Sequence, residues 1–445
     1  MAIFKTRARA LDLLGRQQIA GIPTAINELI KNAHDAYADR FDIDFLRKEN
    51  LIILRDDGMG MTKNEFENRW LTIGTESKLT KDAKKMPMKD PDKPIRPIMG
   101  EKGIGRLAIA SIGKQVLVIT KAKKRAEYNK IIAAFINWEL FELPYVNLDD
   151  IDIPISEFDD IPTSNDIELL KNNLLSSVKK IYSNQQISKD VFSRIYSNIE
   201  SFPSSICTIA LPSKFDISGD NGGTFFYVSP VNDTIISDID GGSDKTEATK
   251  IEKMLIGFHN TMTPDHPVSA INITFRDHKG IDGAYTTLLE NGNFFTPEDF
   301  DMADHHFTGV FDEFGQFSGT IKIYGEKTFN HVVSWSENHF KETLCGPFRI
   351  NLAYIQGRQA ESKIDTINYA TIAAKCEKFG GLYIYRNNIR ILPYGNSDYD
   401  FIDIEKNRSK RASTYFFSYR RMFGVVEITH EKNQTLLKKQ DAKDS

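Results

Sequence analysis

Apolar residues recur at helical spacing early in the chain. Ala25, Leu29, Ala33 and Ala36 line one side of a segment whose other side carries Glu28, Asn32 and Asp35. That period predicts an amphipathic helix. The short, uniformly apolar run Leu51-Ile-Ile-Leu54 predicts a buried strand, which Arg55-Asp-Asp-Gly-Met-Gly-Met61 breaks into a turn. Residues 146–203 are polar and helix-compatible, with apolar residues at Leu169, Leu170, Leu174 and Val178, and they predict an inserted helical hairpin packed on a sheet. Later the period shifts. Alternating apolar residues about a glycine turn between Phe307 and Tyr324 predict a hairpin, Leu352 opens another strand, and Ile364 to Lys378 is a helix candidate. Gly380 to Leu392 reads as a second hairpin with an Asn-Asn turn, and Tyr415, Phe417 and Tyr419 fall on one face of a further strand.

This order predicts an α+β protein of two domains, which suits 445 residues, too many for one core. Residues 1–285 should form a sheet layered with helices, and residues 286–445 a smaller α+β domain. A net charge of −4 with 27% charged residues carries no global signature of nucleic-acid binding. Glu405 to Arg421 interleaves basic and aromatic residues, as nucleic-acid stacking platforms do, but is equally a loop and strand folded back on its own domain. Cys207, Cys345 and Cys376 are scattered without metal-ligand spacing, so a reducing, cytoplasmic setting is expected. No apolar run is long enough to span a bilayer, and the first ten residues lack the core of a signal peptide.

Three segments carry candidate chemistry. Glu28 and Asn32 stand four residues apart, so a helix stacks a carboxylate above an amide on one face. An amide oxygen suits Mg²⁺, and a carboxylate one turn earlier can take a proton from water beside the same phosphate, although solvated helix faces carry such pairs routinely. Asp56 closes a strand, where an acceptor-only carboxylate can receive the exocyclic amine of adenine while Gly58 and Gly60 allow close approach; an ordinary Asp-Gly turn looks the same. Gly100, Gly103 and Gly105 precede a helix-like stretch and offer backbone N–H groups to phosphate. The segment lacks the GK[ST] ending of a Walker loop, and Lys93-Pro-Ile-Arg-Pro97 stands where a dinucleotide fold needs a strand.

Taken in order, the three segments resemble the GHKL superfamily, which includes gyrase, heat-shock chaperone, histidine kinase and MutL ATPases. Asn27 to Ala36 looks like its N box, Asp56 to Gly60 its DxGxG adenine box, and Gly100 to Gly105 its GxxGxG box. Trp70 to Lys78 is similar to the GTxxK segment that opens the ATP lid in chaperone and MORC branches, and Gly222 to Pro230 to the glycine-threonine strand of gyrase-like members. The resemblance implies a two-layer Bergerat-type α/β sandwich with an ATP lid over residues 79–99, followed by a transducer-like domain. Ser269 to Asp277 is similar to the strand that ends the ATPase domain.

The resemblance also implies roles. Glu28 is the general base, Asn32 the Mg²⁺ ligand and Asp56 the adenine reader, with Gly58, Gly60 and Met61 beside the base. Thr75, Ser77 and Lys78 belong to the segment that opens the lid, and Gly100, Lys102, Gly103, Ile104 and Gly105 hold phosphate. Thr224 supports Asp56, with Thr208 the competitor, and Lys439 is the γ-phosphate sensor of an NKQD-like segment, with Lys438 the fallback. So close to Ser445, that loop leads us to expect a piece of a longer protein. ATP, Mg²⁺ and an ATP-dependent homodimer exchanging residues 2–22 follow from the likeness, with DNA or a client or effector protein as the object of the motion. An ATP-gated binding module with little turnover is the alternative. The histidine kinase branch fits poorly, because no histidine precedes His34, which is expected at the helix surface.

Overall fold

The computed structural model describes residues 6–73, 90, 92–99, 105–123, 130–242, 247–264, 266, 270–280, 283–288, 293–335, 341–411, 416–429 and 431–433. The chain divides into two compact units. One comprises Met1–Asp240 with Ala270–Leu289, the other Gly241–Ser269 with Glu290–Ser445.

The first unit is built on an eight-stranded sheet. Its strands are β1 (Arg40–Leu46), β2 (Leu51–Asp56), β3 (Gln115–Lys121), β4 (Ile131–Asn137), β5 (Ile155–Phe158), β6 (Gly223–Val228), β7 (Asn272–His278) and β8 (Thr286–Thr287), in the spatial order β5-β4-β3-β6-β2-β1-β7-β8. All neighbours are antiparallel except β1 and β7. β1 alternates Phe41, Ile43 and Phe45 with Asp42 and Asp44, a pattern that ordinarily leaves one face wet. Here both aspartates are buried. Asp44 receives hydrogen bonds from Arg55 at 2.9 Å and Arg276 at 2.8 Å and contacts His278 at 2.9 Å, while Arg276 also grips Asp42. Buried charge is tolerated because every partner is supplied across three strands.

The helix Gly21–Asp35 buries Ile22, Ala25, Ile26, Leu29, Ile30 and Ala33. Behind it lie the short turns Gly105–Ala108 and Ile109–Ile112. The inserted segment forms two helices, Ser164–Ser183 and Lys189–Ser201, the first opened by a capping box of Thr163 and Asp166. Its buried stripe runs Ile167, Leu170, Leu174, Val178 and Ile181, so Leu169, expected inside, points outward at 56% exposure. Phe202 packs its ring, tilted by 57°, with its centroid 4.7 Å from that of Phe135 of β4, which anchors the hairpin on the sheet.

The second unit contains a seven-stranded sheet of β9 (His305–Phe311), β10 (Phe317–Ile323), β11 (Lys327–Val333), β12 (Phe348–Tyr354), β13 (Gly381–Arg386), β14 (Ile389–Arg390) and β15 (Met422–Ile428). Its order is β11-β10-β9-β12-β15-β13-β14. β9 and β10 form the expected hairpin, with Gly315 at φ +79°, and the helix falls at Thr366–Phe379. Asn387 and Asn388, at φ +51° and +65°, make the two-residue turn between β13 and β14. The strand anticipated at Tyr415 to Tyr419 is displaced. Tyr415 lies outside the described residues, Tyr419 begins a 3-10 turn, and β15 starts at Met422. Tyr419 is fully buried, its hydroxyl accepting from the Leu382 N–H and donating to the Tyr399 carbonyl.

A single boundary after residue 285 does not describe this division. Arg390 donates to the carbonyls of Lys253 and Ile256 at 2.8 and 2.9 Å, Tyr385 to that of Gly257 at 2.7 Å, and Asn260 to Glu427 at 3.0 Å. These bonds hold residues 241–269 in the second unit, and the chain then returns to the first unit for β7 and β8.

Candidate functional site

The Gly21–Asp35 helix presents Glu28 and Asn32 half-buried, one turn apart. Glu28 is not alone. Lys31 Nζ lies 2.8 Å from its Oε1, at the i,i+3 spacing that brings helix side chains together. Gly105 opens its turn directly against this acid, since a Cβ there would stand 3.0 Å from Glu28 Oε2. The last glycine of the GxxGxG box therefore meets the N-box acid. Gly100, Lys102, Gly103 and Ile104 lie outside the described residues, as do Thr75, Ser77, Lys78, Lys438 and Lys439.

Asp56 ends β2 and is 5% exposed. Its Oδ1 accepts the Gly58 N–H at 2.9 Å. Gly58 and Gly60 are required by the protein's own packing. A Cβ on Gly58 would sit 2.9 Å from the Ala36 carbonyl at the helix end, and one on Gly60, at φ +57°, would collide with the Lys121 carbonyl. Met59 N–H donates to Ala36 O at 2.8 Å and Lys123 N–H to Met59 O at 2.9 Å, so the turn is stitched to both the helix end and the segment just after β3.

Thr224 of β6 pairs directly with Asp56, and Thr120 of β3 pairs with Thr224. Cross-strand partners share a face, so the three side chains form a row across adjacent strands. Thr120 Oγ1 accepts the Met61 N–H at 3.1 Å, donates to the Gly223 carbonyl at 3.0 Å, and lies 3.1 Å from Thr224 Oγ1. Thr208 sits elsewhere, in the Ser204–Thr208 turn rather than a strand, its hydroxyl spent on Ser205 O. Burial pushes the Asp56 carboxyl up to about 7; the Gly58 N–H opposes this, the neighbouring Asp57 adds to it, and the Thr224 N–H opposes it. A group that charges near neutrality is poised to respond to a ligand bearing N–H donors.

The last residues of the predicted lid are tied to the helix end. Lys93 donates to Tyr37 O at 2.7 Å and Asp39 at 2.6 Å, and Arg96 donates to Ala38 O at 2.7 Å and Ala270 O at 3.0 Å. Met99 N–H donates to Asp35 Oδ1 at 2.8 Å, a task for Asp35 that sequence alone did not assign. His34 is buried at 3% exposure rather than on the surface, because the helix end is covered by this strap.

Sequence reasoning missed Lys31, Asp35 and Thr120. Spacing from Glu28 was signal enough for Lys31. Nothing local marks Thr120, whose part depends on strand register. Among the described residues no cluster of three or more histidine, cysteine or acidic side chains could hold a metal. A lone Asn32 amide fits an ion that takes most of its ligands from phosphate and water, as Mg²⁺ does. No described helix is long and apolar enough to cross a membrane.

No curated protein matches the chain. Among solved structures, the crystal structure of the N-terminal domain of a DNA repair protein is similar at TM-score 0.43 and 12% identity, over 94% of this chain and 86% of that one. Residues 21–160 match a family described as histidine kinase-, DNA gyrase B- and HSP90-like ATPase, a stretch that holds Glu28, Asn32, Asp56 and Gly105. That stretch is thus a GHKL-type ATPase domain, within a mixed α+β chain.

Proposed function

We propose that this chain binds ATP with Mg²⁺, hydrolyses it slowly, and uses the cycle to close a lid and bring two copies together as a conformational switch. Asp56 accepts the adenine amine, with Thr224 beside it. Asn32 would hold Mg²⁺, which when bound neutralises phosphate charge. Glu28 orients the attacking water and takes its proton, while backbone N–H groups near Gly105 face the phosphates. Lys439 is the proposed sensor of the γ-phosphate. The motion acts on DNA or on a client or effector protein.

One observation carries this reading: segments far apart in sequence meet at one place. Glu28 abuts Gly105, and the turn after Asp56 is bonded to the end of the same helix. Phosphoryl transfer needs positioning and electrostatics more than covalent chemistry, so few groups suffice. The Lys31–Glu28 ion pair favours a second reading, an ATP-gated binding module with little turnover, because the carboxylate is already engaged.

Light scattering of the full chain, with and without a non-hydrolysable ATP analogue and with DNA added, tests the proposal. A dimer formed only with the analogue supports it. A monomer with nucleotide bound under every condition removes the dimerising switch.

A further inference from the structure

The row Asp56–Thr224–Thr120 contains a proton count that bears on which base the site admits. Thr120 has one hydroxyl proton, and the Gly223 carbonyl, which can only accept, takes it at 3.0 Å. The same oxygen already accepts the Met61 N–H. The 3.1 Å contact with Thr224 Oγ1 is then made by the Thr224 proton. With that proton committed inward, Thr224 has only lone pairs left to offer.

We infer that Thr120 is a positioning residue for base selection: by holding the Thr224 proton it makes Thr224 an acceptor beside the Asp56 carboxylate, so the site takes a base bearing an exocyclic amine and rejects one bearing a carbonyl there. This rests on the ATP-site reading and deepens it. Thr120 touches no ligand in this account. Thr120, itself 0% exposed, acts through Thr224, which is 7% exposed, and burial between the strands holds the pair of hydroxyls in this orientation. A base with a carbonyl would set its oxygen against acceptors on both sides, and unpaired buried acceptors discriminate strongly.

The test compares affinity for ATP and inosine triphosphate, which differ at the amine position, using the full-length chain. Wild type is expected to prefer ATP. Thr120→Val keeps the shape and removes the hydroxyl, releasing the Thr224 proton to turn and donate to the inosine carbonyl, so the preference should narrow by about tenfold, the worth of one hydrogen bond. Thr120→Ser restores the hydroxyl and should restore the preference, which a packing role alone would not do. If Thr120→Val does not fold, Thr120→Ala beside Thr120→Ser carries the same comparison. An unchanged preference in the hydroxyl-free variant, with ATP still bound by wild type, overturns the role of Thr120 and leaves the ATP site standing. Wild type that binds neither nucleotide overturns both.

Discussion

Lys31 Nζ lies 2.8 Å from Glu28 Oε1, on the helix turn that leads to Asn32. Both side chains are partly exposed, at 18% and 25%, so solvent screens the pair and it contributes little to stability. Its importance is chemical. Glu28→Gln keeps the shape and removes the base, and should lower single-turnover ATP hydrolysis by about 100-fold or more while leaving nucleotide affinity within about threefold. Lys31→Ala should alter the rate by less than about tenfold. Hydrolysis by Glu28→Gln at the wild-type rate would take the carboxylate out of the reaction.

Nucleotide binding should depend on pH through Asp56. Its carboxyl, pushed up to about 7, is an acceptor without a competing O–H only when ionised, so affinity for a base that donates an amine proton should rise as pH increases through that value. Roughly tenfold weaker binding at pH 6 than at pH 8 follows from the fraction ionised. Titration calorimetry at the two pH values, with Asp56→Asn as reference, decides it: a flat profile for wild type means another group receives the base.

The same residue sets a cost on the empty protein. Between its unfolded value near 3.8 and its folded value near 7, the folded state keeps a proton that the unfolded chain gives up. The sign of that linkage is a stability that falls as pH rises across this window, with the full cost of the buried charge present above 7. Asp56→Asn, still able to accept from Gly58 N–H, should therefore melt higher than wild type at pH 8, by a smaller margin at pH 5, and nearly level with it below the unfolded value near 3.8. The gap is expected at roughly 2–4 °C for each kcal/mol recovered. A variant less stable than wild type at pH 8 would contradict the burial argument.

Arg276 joins β7 to β1 through Asp42 and Asp44, and its loss strands two buried carboxylates. Arg276→Met should cost about 3–5 kcal/mol by denaturant unfolding. Burial alone would raise the Asp44 carboxyl, but His278, Arg276 and Arg55 hold it below its usual value. That contribution is present above the unfolded value and lost as pH falls through the folded one, so the variant should also acid-unfold at a higher pH. Loss of under about 1 kcal/mol would show that the aspartates find other partners.

Much of the local structure was legible in the chain. The amphipathic period at Ala25, Leu29 and Ala33, the apolar run Leu51 to Leu54, and the Asn-Asn turn at 387–388 each follow from spacing or backbone preference, and each is where it was expected. Failures cluster where burial was inferred from hydropathy alone. Leu169 points outward because the stripe of its helix is set by Ile167 and Leu170, and the burial of Asp42 and Asp44, on which the chain gave no expectation, depends on arginines from β2 and β7 that reach them. The run at Thr208 has strand-like composition, but a hydroxyl bond to Ser205 closes a turn instead.

For the site, sequence alone determined the reagents. A carboxylate and an amide one turn apart, an aspartate at a strand end and a glycine-rich segment are properties of residue type and spacing, which short-range geometry turns into helix face, turn and loop. Tertiary structure decided who meets whom. Thr224 rather than Thr208 faces Asp56, Thr120 stands behind Thr224, and Gly105 closes on Glu28, because strand register and helix packing bring together residues separated by up to 168 positions. No local preference encodes such pairings. They follow from burying one particular set of apolar faces together, a condition satisfied by the whole sheet at once.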